Sequence, residues 1–312
     1  MRQFRGVYPA IVTPFTDAGV LNREAIEKLV AFQLDAGVDG FYVGGATGEC
    51  LLQDVPTRAA MAKRVVDEVR GRAKVIVHVA ACTTADAVTL AREAADAGAD
   101  AVAALPPIFY KVGFDGIHRY YRAIAEAVDV PTLVYYLPAL SGVAFSREEI
   151  GRLLEIPGVC GLKFSDYNLF LLHSIREHYP QATVFSGNDE VFLPALVMGT
   201  HGSIGMTLNF MPEIYVGLYR AYGQGDLAEA QRLQFQANRV IEILLRYGSF
   251  GATKAILKMR GIDCGQPREP LMPLEDSQYE SLQRELEAIQ FIFSPSNRPE
   301  RQRHSHEQHC HA

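Results

Sequence analysis

From residue 7 to about residue 206 the chain alternates between two hydrophobic rhythms. Short runs of β-branched and small apolar residues are each followed by a longer stretch with apolar positions at i, i+3 and i+4. The first rhythm predicts buried strands and the second predicts helices with one apolar face. The predicted strands are Val7–Val12, Gly40–Val43, Val75–Val79, Ala101–Leu105, Thr132–Tyr136, Gly161–Phe164, Thr183–Phe185 and Gly202–Gly205. Among the predicted helices, Arg23–Ala36 presents Ile26, Leu29, Val30 and Leu34 on one face. Pro56–Val69 opens on a proline, and Thr84–Gly98 follows a threonine cap and stops at glycine. Ile117–Val128, Arg147–Ile156, Leu169–Tyr179, Glu190–Met198 and Glu213–Tyr222 complete the series.

Eight strand–helix units in about 200 residues predict parallel βαβ pairing and an α/β fold. An open doubly wound sheet and a closed barrel share this rhythm. No G-x-G-x-x-G follows the first strand, which disfavours the dinucleotide-binding open sheet. Eight uninterrupted repeats favour a (β/α)8 TIM barrel, residues 1–206. Residues 207–294 carry the last barrel helix and a C-terminal helical appendage, with helices near Leu227–Leu245, Ala252–Lys258 and Tyr279–Ile292. Residues 295–312 lose their apolar residues and predict a disordered, His-rich tail. Its His304, His306, His309, Cys310 and His311 match no structural zinc spacing, so no functional metal site is assigned there.

With 312 residues, 48% of them hydrophobic, the chain can bury a full core. A net charge of −6 without clustered basic residues argues against nucleic-acid binding. No apolar run reaches the roughly 18 residues of a membrane span, and the N-terminus lacks the apolar core of a signal peptide. Cys50, Cys82, Cys160, Cys264 and Cys310 are odd in number and widely spaced, which predicts reduced thiols and a cytoplasmic location.

One predicted strand departs from the apolar pattern. In Gly161-Leu162-Lys163-Phe164 a lysine sits where an aliphatic residue is expected. Burial would lower its pKa and make the neutral amine a nucleophile toward carbonyls; the alternative is a lysine reaching solvent from a strand end. Residues at the C-terminal ends of barrel strands share one mouth. Tyr135 would lie one strand from Lys163, its phenol placed either to move protons or simply to fill the interior. The Gly44-Gly45-Ala46-Thr47-Gly48-Glu49 turn can cradle a small anion with its N–H groups and the Thr47 hydroxyl, or serve as an ordinary tight turn. Asp189 and Glu190 either bind a polyol or cap a helix. His78, inside an apolar strand, reads as a core histidine with its hydrogen bonds satisfied.

The Gly44–Glu49 turn, Tyr135-Tyr136-Leu137-Pro138-Ala139-Leu140-Ser141-Gly142 and Gly161-Leu162-Lys163-Phe164-Ser165-Asp166 resemble the signatures of the N-acetylneuraminate lyase and dihydrodipicolinate synthase family. The resemblance runs over roughly residues 6–275. It implies a TIM barrel, a homotetramer, a 2-oxo acid substrate, and a lysine imine formed without metal or organic cofactor. It makes Lys163 the imine-forming lysine, Tyr135 the proton-transfer phenol, and Thr47 with Ala46 and Gly48 the carboxylate site. Ser165, Gly187, Asp189, Glu190 and Met206 become substrate-binding positions. The Pro-Ala-Leu-Ser-Gly run and Gly187-Asn188-Asp189-Glu190 resemble the lyase branch, and the arginine usual in the synthases is missing. Three positions depart from the pattern: Ala46 where a hydroxyl residue is usual, Phe109 (followed by Tyr110) where a relay tyrosine is usual, and Met206 where lyases tend to have serine. The expected function is reversible cleavage of a 2-oxo-3-deoxy sugar acid to pyruvate and an aldehyde. The alternatives are a dehydratase or aldolase for another 2-oxo acid, and a weakened 2-oxo acid binding protein.

Overall fold

A computed structural model describes residues 4–291 and residue 293. The expected histidine-rich tail lies outside the described residues. Eight parallel strands are ordered β1-β8-β7-β6-β5-β4-β3-β2. They are β1 Gly6–Pro9, β2 Gly40–Val43, β3 Lys74–His78, β4 Ala101–Ala104, β5 Thr132–Tyr136, β6 Val159–Phe164, β7 Thr183–Ser186 and β8 Gly202–Gly205. β1 and β2 close the ring through a parallel bridge between Ala10 and Tyr42, where Ile11 N donates to Tyr42 O at 2.9 Å. The fold is therefore the expected TIM barrel.

The strands are buried on both faces, which is why they read as unbroken apolar runs. Three end earlier than their hydrophobicity suggests, β4 by one residue, at Ala104. Val12 N donates to the Asn209 side chain rather than to a strand, so β1 stops at Pro9 although Ala10, Ile11 and Val12 are buried. β3 stops at His78, although Val79 N still reaches Ala103 O at 2.7 Å.

Local chemistry sets the helix boundaries. Asp54 and Thr83 accept from Thr57 N and Asp86 N at the starts of Val55–Val69 and Thr84–Asp96. Ser146 and Glu149 form a capping box on Arg147–Leu154. A short helix, Pro138–Ser141, follows β5 and ends at Gly142 with φ +67°; the pattern did not predict it. The helix expected from Glu190 begins instead at Phe192, after a 3-10 turn over Asp189–Val191. Asp189 and Glu190 do not cap it: its N-cap is Val191, which makes no side-chain capping bond.

The C-terminal helices Leu227–Tyr247, Ser249–Met259 and Asp276–Ala288 pack on the barrel. Buried Val240, Leu244, Ile256, Leu257, Leu282 and Leu286 join the same hydrophobic core as the strands. From Leu227–Tyr247, Gln234 Oε1 accepts from Leu193 N at 2.9 Å and its Nε2 donates to Asp189 O at 3.0 Å. Asn238 Nδ2 donates to Glu190 O at 3.1 Å. The appendage therefore braces the loop after β7.

Candidate active site

Lys163 of β6 and Tyr135 of β5 are register partners, so both side chains enter the barrel from adjacent strands. The Lys163 ammonium nitrogen lies 4.2 Å from the centre of the Tyr135 ring and 4.6 Å from that of Tyr42, which β2 supplies. Gly187 makes room for it. A Cβ there would stand 1.7 Å from Ser165 Oγ and 3.1 Å from Lys163 Cε. Lys163 is only 4% exposed, so it does not reach solvent. Burial lowers its pKa to about 7, opposed by the negative charge of Asp189. Near neutral pH a large share of this amine is the free-base nucleophile.

The groups around it are held in definite ionisation states. Burial pushes the Tyr135 phenol above its ordinary range, with the neighbouring Ser165 hydroxyl opposing the rise, so it carries its proton at physiological pH. Ser165 Oγ is itself buried without a hydrogen-bond partner among the described residues. His78 is the satisfied core histidine expected: Nδ1 lies 2.9 Å from Gly44 O, and Nε2 accepts from Leu105 N at 3.3 Å. Burial, reinforced by Arg58, depresses its pKa to about 3, which keeps the ring neutral.

Asp189, at the end of the loop after β7, accepts at Oδ2 from Thr207 N at 2.8 Å and from Thr207 Oγ1 at 2.7 Å. The Thr207 hydroxyl proton is thereby committed, so Tyr215, 2.6 Å away, donates to Thr207 Oγ1. Asp189 Oδ1 is buried without a hydrogen-bond partner among the described residues. Burial raises the Asp189 pKa to about 6, against the two Thr207 hydrogen bonds. Glu190 is half-buried and accepts from the phenol of Tyr167, an exposed residue after β6.

The turn after β2 folds on itself: Gly48 N donates to Gly45 O at 3.0 Å and Glu49 N to Ala46 O at 2.9 Å. Among the described residues the Ala46 and Thr47 N–H groups have no acceptor. Thr47 is buried and Ala46 half-buried. Met206 follows β8 and is half-buried. Phe109 and Tyr110 do not join this group. They are 90% and 76% exposed, their rings 5.0 Å apart on one another, and Phe109 adopts φ +76°.

Tyr42, Thr207, Tyr215, Gln234 and Asn238 were not anticipated. Tyr42 carried a signal, an aromatic two residues before the glycine-rich turn. The others work through packing between distant segments, which leaves no local pattern.

A TIM barrel with a buried, pKa-lowered lysine at a strand end, a protonated phenol beside it and a glycine-rich turn after β2 has the parts for covalent chemistry on a carbonyl substrate. The chain belongs to the dihydrodipicolinate synthetase family, whose model matches residues 3–289. It is 38% identical to the N-acetylneuraminate lyase of Enterobacter sp. (strain 638) over 277 residues, 88% of this chain and 93% of that protein. It is 37% identical to the N-acetylneuraminate lyase of Rhizobium meliloti (strain 1021) over 280 residues, 90% of this chain and 93% of that one. Among solved structures, CdNal from Clostridium difficile in complex with mannosamine superposes with a TM-score of 0.89 at 30% identity, covering 92% of this chain and 99% of that one. A catalytic lysine mutant of Ruminococcus gnavus sialic acid aldolase superposes with a TM-score of 0.88 at 32% identity, covering 92% and 95%.

Proposed function

We propose that this chain is a lyase that reversibly cleaves N-acetylneuraminate, or a closely similar 2-oxo-3-deoxy sugar acid, to pyruvate and an aldehyde sugar. The observation that carries the reading is Lys163: a buried amine with a pKa of about 7, set against a protonated tyrosine. The N-acetylneuraminate lyases at 37–38% identity select the sugar acid within the family.

In this reading the free amine of Lys163 attacks the 2-oxo carbon, and water leaves to form an iminium ion. The iminium accepts the electron pair of the breaking carbon–carbon bond. The proton of the hydroxyl on the departing carbon passes to the Tyr135 phenolate as the aldehyde forms and leaves, the resulting enamine takes that proton at the former bonding carbon, and water releases pyruvate and the lysine. Tyr135, which holds its proton, donates to the leaving oxygen of the carbinolamine and retrieves a proton at hydrolysis. The Ala46 and Thr47 N–H groups and the Thr47 hydroxyl receive the carboxylate, with Gly48 shaping the turn. That contact fixes the carbonyl for attack. Asp189 and Glu190 receive hydroxyls of the sugar chain, with Ser165, Gly187 and Met206 lining the path between. No metal or organic cofactor takes part. The working unit is a cytoplasmic homotetramer, which exposed Phe109, Tyr110 and Leu140 support as surfaces for a neighbouring copy.

Borohydride reduction with pyruvate, followed by peptide mass spectrometry, is expected to leave an adduct on Lys163; an unmodified Lys163 refutes the imine. N-acetylneuraminate is expected to release pyruvate at an undiminished rate in EDTA. A second reading, turnover of a different 2-oxo acid, is favoured by Ala46 and Met206, which bring methyl and thioether groups where hydroxyls are usual. A panel of 2-oxo-3-deoxy acids separates the two. Under the first reading, Ala46→Ser, which returns a hydroxyl to the turn after β2, raises cleavage of N-acetylneuraminate. An unchanged rate assigns the proton path to other groups.

A further inference from the structure

The turn after β2 is held from outside the barrel. Glu49 ends it in the left-handed region, with φ +60°, and its side chain is almost fully buried. It forms an ion pair at 2.8 Å with Lys254 of the Ser249–Met259 helix, whose side chain is 3% exposed. The other carboxylate oxygen accepts from Arg268 N at 2.6 Å. Lys254 Nζ also donates to Gln266 O at 2.9 Å, so one buried pair joins the turn, the helix and the strap that follows it. The strap is clamped in turn to the segment after β1. Phe15 N donates to Cys264 O at 3.1 Å, the Arg268 guanidinium sits 4.3 Å from the Phe15 ring centre, and Arg268 Nη2 donates to Gly19 O at 2.8 Å.

Removing two charges from water costs several kcal/mol each, and a well-packed apolar pair often serves stability as well or better. What a buried pair supplies, and an apolar pair does not, is a fixed direction and distance. Here it fixes Glu49, the second residue after Thr47. From the barrel side Gly48 O accepts from Thr13 Oγ1 at 2.7 Å and from the Gln53 side chain. Gly48 and Glu49 are thus pinned from both sides, leaving Ala46 and Thr47 as the corner with free N–H groups.

We propose that Glu49 and Lys254 are positioning residues for the substrate carboxylate: through this pair the C-terminal helices hold the Ala46–Thr47 corner in its receiving geometry. The proposal rests on reading that corner as the carboxylate site. Neither residue touches the reacting atoms.

The test compares pyruvate with pyruvamide, which keeps the carbonyl and lacks the charge, as partners for borohydride trapping on Lys163. Lys254→Met alone leaves Glu49 buried and unpaired and is expected to unfold the chain. The double variant Glu49→Gln with Lys254→Met leaves no unpaired charge and carries the test. Its half-saturating pyruvate concentration is expected to rise about tenfold, the scale of one misplaced charge-assisted hydrogen bond. Pyruvamide trapping should stay within about twofold, and KM for the sugar acid should rise with little change in kcat. Unchanged pyruvate saturation, or an equal loss for both compounds, overturns the proposal. Wild-type protein that traps both compounds equally refutes the carboxylate reading of the corner, and the proposal with it, before any variant is made.

Discussion

At the level of single residues, the proposed chemistry depends on the burial of Lys163, which frees its amine of a proton, while the negative charge of Asp189 works the other way. The lysine pKa of about 7 means that lowering the pH from 8 to 6 converts the nucleophile to its inert ammonium form. The initial rate of pyruvate trapping should therefore fall roughly tenfold over that interval. Asp189 opposes the burial effect and holds the lysine pKa up. Asp189→Asn should move the midpoint of the trapping profile to lower pH, so that the variant outpaces the wild type near pH 6. Pyruvate has no polyol chain, so this assay isolates the charge effect from sugar binding. A midpoint that stays put or rises would show that the two groups are not electrostatically coupled. The lysine and Tyr135 were legible in the sequence because a charged or phenolic residue in an apolar strand breaks a regular pattern. The state of Asp189 was not, because its partners Thr207 and Tyr215 come from the segment after β8 and the helix beyond.

At the level of elements, the barrel works by close approach between strand ends, and glycine permits it. Gly187 follows β7 where any side chain would enter the space of Ser165 and the Lys163 methylene chain. Gly187→Ala should cost about 1–3 kcal/mol in urea unfolding, the range for overpacking a filled site, and should reduce trapping on Lys163. Equal stability and trapping would mean that the β7 loop can move aside. Periodicity located the eight strands and nearly all the helices, since burial of a strand or of one helix face imposes a period on the residues themselves. It failed where backbone groups are satisfied by remote partners. Asn209 ends β1 early, and Gln234 and Asn238 hold the carbonyls of Asp189 and Glu190, where a helix had been expected to begin.

At the level of the whole molecule, the loops after β4 and β5 leave large apolar side chains in water. Phe109 is 90% exposed, Tyr110 76% and Leu140 70%. A neighbouring copy that covers them would account for the cost, so Leu140→Asp with Phe109→Asp should shift sedimentation equilibrium toward smaller species. An unchanged mass would refute this surface as an interface. Phe109 stands where a relay tyrosine is usual, and neither it nor Tyr110 is buried among the described residues; their rings rest on one another at the surface. The appendage is tied to two mouth loops, through Lys254 and Arg268 at one and Gln234 and Asn238 at the other. By itself, the sequence determined the βα alternation, the closed barrel and the lysine–tyrosine pair. These follow from hydrophobic periodicity and from which residues interrupt it, both local properties of the chain. Only the tertiary structure decided the lysine's ionisation, the network behind Asp189 and the anchoring of the β2 turn by Lys254. Each depends on burial and on charges brought together from distant segments, and no local pattern encodes either.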